Sequence, residues 1–417
     1  MTELLLKGAN VLGDNSADVL VRDGVIAQIG SISSTRSSQE REGRRLTVVD
    51  ADGLVLLPGL VDLHTHLREP GREDAETVAS GSAAAAAGGF TAVLAMANTS
   101  PVTDTAEAAE RVFDLGRAAG LVDVQPIGAV SKGLAGAELA ELGLMARSRA
   151  QVRVFSDDGR CVHDARLMRR ALDYLKSFGG VISQHAQDPR LADGTACCHE
   201  GEVSGRLGLP AWPAVAEDVI VARDVQLARH TGSRVHVAHV STAASVEIIR
   251  WAKAQGIAVT AEVTPHHLAL GTELLAGYDP VFKVNPPLRP DEDRAAILAG
   301  LLDGSIDAVA TDHAPHARHD KEHAFPDAAF GMLGLETALA VLVELVVRPG
   351  LLTWAQLAER MSFAPARIAG LLGHGRPVAV GEPGNFVLID PNAVWTVDRA
   401  ASQSLSRNNP WHGRTLP

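Results

Sequence analysis

A chain of 417 residues with 46% apolar residues can bury at least one large core, with a smaller domain beside it as the natural expectation. The formal charge of -12, with no Lys/Arg block, argues against nucleic acid as a partner, and no stretch approaches the ~20 apolar residues of a membrane span. Three cysteines, Cys161, Cys197 and Cys198, offer no disulfide framework, and the start lacks a signal-like pattern, so a reducing cytoplasm is expected.

From residue 3 to about 57, short β-like runs alternate with turns, among them Asp18–Val21 ending at Asp23-Gly24. The polar, serine-rich stretch 31–45 is expected to be a surface loop. Near the other end, Gly381-Glu-Pro-Gly384 followed by Asn385–Ile389 has the same short-strand character, so the two chain ends are expected to share one small sheet.

Between them, apolar strands ending in polar residues alternate with segments of helical period. The strands are Val61–His64, Thr91–Met96, Asp123–Ala129, Val152–Ser156, Val181–His185, Arg234–His239, Ala258–Val263 and Ala308–Asp312. Helical segments include Ser82–Ala87, Asp104–Ala119 and Ser241–Gln255. Such units, eight in all, predict an α/β fold, a (β/α)8 barrel over 58–365, with a small β-sandwich-like domain built from 1–57 and 366–417. Functional residues then gather at the C-terminal strand ends.

Those ends carry His64 and His66, Asn98, Asp157 and Asp158, His185, His239 and Asp312. His64 and His66 point to one side of an extended strand and can chelate one ion. The imidazoles and carboxylates together suit Zn²⁺ or a similar borderline ion, one or two in number. Taken singly, His185 or His239 could be a satisfied core or surface histidine, Asp312 a turn cap, and one of Asp157 and Asp158 an Asx-type turn residue. Cys197-Cys198-His199 lacks ligand spacing and is expected to be a loop without cofactor, as are the solvated His319 and His323. Trp212-Pro213 looks structural. The polar segment between His316 and Phe330 has the length of a lid.

Several stretches resemble motifs of the amidohydrolase superfamily and, within it, of dihydroorotases of the bacterial class I type. They are Pro58-Gly-Leu-Val-Asp-Leu-His64-Thr-His66-Leu-Arg68-Glu-Pro-Gly71, Met96-Ala-Asn98-Thr99, Phe155-Ser-Asp-Asp158-Gly159, His239-Val-Ser-Thr242, Glu262-Val-Thr-Pro-His-His267, Asn285-Pro-Pro-Leu-Arg289 and Ala310-Thr-Asp312-His-Ala-Pro-His316. The resemblance runs over almost the whole chain.

It implies that His64, His66, Asp158, His185, His239 and Asp312 ligate the metal, with Asp157 left open as the bridging alternative to Asp158. It also implies reversible cyclisation of N-carbamoyl-L-aspartate to L-dihydroorotate in pyrimidine biosynthesis, with Asp312 as general base and acid. His66, Arg68, Asn98, Asn285, His316, Phe330 and Gly331 would bind substrate. The alternative for Arg68 is an ion pair with Glu69 or Glu73.

Related hydantoinases and allantoinases usually place a carboxylated lysine on strand four, and no lysine lies in Gln151–Gly159. The competing functions are therefore another cyclic amidase, or a non-catalytic subunit of aspartate transcarbamoylase that has lost ligands kept here. A homodimer and a complex with aspartate transcarbamoylase are both left open by the resemblance. Departures from the family pattern are Ala97 where proline is common, Ala186-Gln187 where Cys-Glu is common, and an end at Pro417 where relatives continue into another strand. That last departure is expected to leave an open sheet edge.

Overall fold

The computed structural model describes residues 2–32 and 45–417, so most of the serine-rich stretch lies outside the described residues. Five strands come first: β1 (Thr2–Val11), β2 (Asn15–Arg22), β3 (Val25–Gly30), β4 (Arg45–Asp50) and β5 (Val55–Pro58). β1 runs antiparallel to β2, and parallel to β4 along its first half and to β5 along its second. The β2–β3 hairpin turns at Asp23-Gly24, whose φ angles of 49° and 80° are the left-handed pair that tight hairpins demand. Leu6, Ala9, Val19, Val21, Ile26 and Leu56 form this sheet's core.

The barrel strands are β6 (Leu60–Thr65), β7 (Phe90–Ala95), β8 (Asp123–Pro126), β9 (Val154–Phe155) and β10 (Val181–Gln184). A side ribbon, β11 (Cys198–His199) with β12 (Ala211–Trp212), precedes β13 (Val235–Val237), β14 (Val259–Val263) and β15 (Ala308–Val309). The barrel strands pair in parallel in chain order. Closure comes from two seams: Gly128 N donates to Val154 O at 3.1 Å, and His66 N donates to His313 O at 2.8 Å. All eight expected strands are present among the described residues.

Inside the barrel, Leu63, Leu94, Met96, Ile127, Val154, Val181, Ala308 and Ala310 form a packed core. Two of the outer helices start at a threonine cap. Thr105 accepts from Ala108 N before Ala106–Ala119, and Thr242 from Ser245 N before Ala243–Ala254. Gly116 lets the first of these helices lie close on β8, since a Cβ there would come within 2.4 Å of Val124 Cβ.

The chain's other end supplies β16 (Phe386–Ile389), antiparallel to β5, so both ends do share one sheet, with β16 at its edge. Beyond β16 the chain leaves that sheet. β17 (Trp395–Thr396) pairs with β18 (Thr415–Leu416), and Val397, Trp411 and Leu416 pack with Leu270, Val284 and Met332 of the barrel's loops. No helix among the described residues is long and apolar enough to cross a membrane.

Candidate active site

The strand ends bring the expected residues to one buried point. His64 Nε2 lies 3.3 Å from both Asp158 Oδ1 and Asp312 Oδ1, and His66 Nε2 lies 3.1 Å from Asp312 Oδ1 and 3.4 Å from Asp158 Oδ2. His185 Nδ1 and His239 Nε2 are each 3.5 Å from Asp158 Oδ1 and 2.9 Å from one another. Ligands about 2.0–2.2 Å from a tetrahedral ion stand about 3.3–3.6 Å apart, so most of these separations suit a bound cation. The donor atoms of His64, Asp158 and His239, and those of His64, His66 and Asp312, form two sets that could each hold a metal ion. His64 Nε2 and Asp158 Oδ1 are buried without a hydrogen-bond partner, as unfilled coordination would leave them.

Electrostatics point the same way. Burial opposes charge on Asp158, yet His64, His185 and His239 hold its carboxyl well below the usual range. Burial likewise opposes charge on Asp312, which His64 and His66 hold down. His64 meets the converse: against burial, Asp158 and Asp312 keep it well above an ordinary imidazole. Two buried carboxylates ringed by imidazoles form a site that gains by taking up positive charge.

Each imidazole is oriented by a further group. His64 Nδ1 donates to Glu262 Oε1 at 3.0 Å, His66 Nδ1 to Asn98 Oδ1 at 3.0 Å, and His185 Nε2 to Gln187 Oε1 at 3.0 Å. The nitrogens left over face the centre. Gln187 therefore matters: the departure from the family's Cys-Glu falls on the partner of His185.

Asp157 and Asp158 part company. Asp157 accepts from Val130 N at 2.8 Å, Ser131 N at 2.9 Å and Ser131 Oγ, while Asp158 turns into the histidine cluster. His239, Asp312 and Arg68 have φ of 32°, 47° and 61°, a left-handed backbone that non-glycine residues adopt at a cost of ~1–3 kcal/mol. Strain of this kind gathers at functional sites.

A family profile described as "Dihydro-orotase-like" matches residues 53–245. Dihydroorotase of Streptomyces coelicolor is 58% identical over 417 residues, covering 100% of this chain and 95% of the relative. Dihydroorotase of Mycobacterium tuberculosis is 55% identical over 415 residues, 99% of this chain and 95% of the relative. The chain belongs to the dihydroorotase family. Among solved structures, the L-hydantoinase (dihydropyrimidinase) of Arthrobacter aurescens superposes with a TM-score of 0.85 at 25% identity, covering 100% of this chain and 93% of the other. The dihydropyrimidinase of Brevibacillus agri NCHU1002 does so at 0.82 and 23%, covering 99% and 92%, a likeness of fold. Dihydroorotases thus share the barrel of other cyclic amidohydrolases, and the sequence separates them.

On the rim, Arg68 makes no pair with Glu69 or Glu73. Its Nε donates to Pro315 O at 2.9 Å, and Nη2 lies 3.3 Å from His316 Nε2. His316 Nε2 donates to Phe330 O at 2.6 Å. Burial, then Arg68, push His316 down to about 2, so it is neutral. Asn285 lies 3.4 Å from His185 Nε2, and its Oδ1 is buried without a partner. Gly331, at φ 136°, sits where a Cβ would come within 2.6 Å of Ala314 Cβ. His319 and His323 are exposed, His323 in a loop as expected but His319 in the short helix Arg318–Lys321, while Cys197 and Cys198 are buried free thiols in an apolar cluster with Leu209, Leu275 and Phe325.

Sequence reasoning assigned nothing on β14 to the site. Glu262 stands there beside His64, and His266 just beyond it has a buried Nε2 without a partner. The stretch Glu262–His267 was legible as a motif; which of its side chains turned inward was not.

Proposed function

We propose that this protein is a Zn²⁺-dependent dihydroorotase that interconverts N-carbamoyl-L-aspartate and L-dihydroorotate, with His64, His66, Asp158, His185, His239 and Asp312 as the ligand set. The observation that carries it is Asp312 Oδ1, 3.1 Å from His66 and 3.3 Å from His64, in a chain 58% identical to a dihydroorotase. The two orphaned polar atoms, His64 Nε2 and Asp158 Oδ1, fit a bound ion. When present, Zn²⁺ polarises the ring amide carbonyl and acidifies water.

The residues of the chain do the rest. In hydrolysis, Asp312 takes the proton of the attacking water as its oxygen joins the amide carbon. Asp312 then returns that proton to the ring nitrogen as the carbon–nitrogen bond breaks, and cyclisation runs the steps in reverse. Arg68, beside Pro315 and neutral His316, offers a planar fork to the substrate carboxylate, with Asn98, Asn285 and the Phe330–Gly331 backbone completing that side. Three free cysteines suit a cytoplasmic setting.

Metal-replete protein offered L-dihydroorotate, hydantoin and allantoin is expected to open dihydroorotate selectively. Preferential turnover of either other ring would move the assignment to another cyclic amidase, and protein that retains no metal would point to a scaffold subunit.

A further inference from the structure

The segment before the chain's end is strapped to the barrel by buried polar contacts. Ser404 Oγ and Leu405 N bond to Glu76, and Ser406 Oγ donates to Ala75 O at 2.7 Å. Two residues on lies Asn408, a buried residue only 6% exposed. Its Nδ2 donates to Ala314 O at 2.9 Å and to Gly331 O at 3.1 Å, while its Oδ1 accepts from His316 N at 3.2 Å. Its backbone carbonyl accepts from Leu333 N at 3.0 Å.

A carbonyl oxygen can only accept, so both amide protons must face Ala314 and Gly331. The orientation of the side chain is fixed, and its two donors and its oxygen are all engaged. No carboxylate or apolar side chain of similar shape could make the same three bonds. Asn408 thereby ties together two loop segments, 314–316 and 331–333, that are far from it in the chain.

Those segments carry the groups that face the substrate carboxylate in the function proposed above, on which this inference rests. Arg68 Nε is anchored on Pro315 O, between the two residues that Asn408 holds. His316 reaches Phe330 O across the same seam. The seam is tight, because a Cβ at Gly331 would lie 2.6 Å from Ala314 Cβ and 3.0 Å from His316 Nε2. A shift of either segment must move the imidazole, the guanidinium or both.

We infer that Asn408 is a positioning residue for substrate recognition: from outside the ligand cluster, it sets the relative placement of Arg68, His316 and the Phe330–Gly331 backbone. Its effect should fall on binding of the substrate anion and leave the metal ligands in place. Asn408→Asp is the sharpest probe, since it keeps the shape but turns an oxygen toward two carbonyls. Asn408→Ala is the second variant, should the first fold poorly.

The experiment measures steady-state turnover of L-dihydroorotate, metal content, and amide hydrogen exchange of peptides covering 313–333 in parent and variants. Expected are a KM raised about tenfold or more, kcat within about threefold, parent-level metal, and faster exchange confined to that region. A KM within about twofold of the parent in a folded variant would overturn the inference, as would a fall in kcat alone. If the parent itself leaves dihydroorotate unchanged, the functional assignment fails. The clamp is then judged by exchange, and equal protection in parent and Asn408→Asp would overturn it.

Discussion

Glu262 Oε1 lies 3.0 Å from His64 Nδ1, a contact between fully buried side chains 198 residues apart. A carboxylate only accepts, so a proton sits on Nδ1, and Nε2 is the nitrogen left facing Asp158 and Asp312, where a bound ion would take the place of its proton. The other carboxylate oxygen takes His236 Nε2 at 3.1 Å, and these two imidazoles hold Glu262, against the effect of burial, down to about 2. Glu262→Gln must turn an amide N–H toward one of two imidazole donors. Metal affinity is expected to fall about 10–100-fold, measured by competition with a chromogenic chelator. Parent-like affinity would show that His64 needs no such partner.

Arg68→Lys tests the anion side. Burial lowers the guanidinium only to about 10, so it stays charged at neutral pH. Lysine keeps the charge but loses the fork and the Pro315 anchor. The expected cost is ~1.5–3 kcal/mol of substrate binding, read as a higher KM with metal content unchanged. Unchanged kinetics would remove Arg68 from the site.

Lys321 gives a pH dependence. Burial, then the Lys283 ammonium, push it from 10.5 down to about 7, although Nζ donates to Ala329 O at 2.8 Å. Between those values the unfolded chain binds more protons than the folded one, so this group makes stability rise with pH. Below about 7 its full penalty is present. Thermal unfolding of the parent from pH 7 to 9 should gain at most ~1.4 kcal/mol per pH unit from this group, a slope missing in Lys321→Met. Parallel profiles would contradict the shift.

Residues 317–329, expected to act as a lid, contain the helical turn Arg318–Lys321 and bury Phe325. Lys283 Nζ donates to Pro326 O at 2.6 Å, and Arg72 pairs with Asp320. These ties join the segment to two loops of the rim. Bound substrate is expected to slow proteolysis around the exposed Glu322 and His323. Cleavage at one rate with and without substrate would remove the closing role.

Much of this was legible in the chain. Apolar runs ending in His64, His185, His239 and Asp312 announced barrel strands because the fold buries each strand and exposes its end to one shared mouth. The Asp23-Gly24 turn specified its hairpin by φ preference alone. What stayed hidden depends on contacts between distant segments. Local pattern cannot tell Asp157, bound by Val130 and Ser131, from Asp158, which turns inward. Nor can it show that Glu262 supports His64, that Gln187 supports His185, or that Asn408 reaches back to Ala314. Tertiary packing alone makes those pairs.

The most direct test compares turnover of L-dihydroorotate by metal-loaded parent and Asp312→Asn, with metal content measured on the same samples. The expected result is turnover by the parent and its loss by at least about a hundredfold in the variant, even where the variant retains metal, because the amide cannot carry the proton. Comparable turnover by a metal-loaded Asp312→Asn would contradict the role assigned to Asp312 and the mechanism built on it.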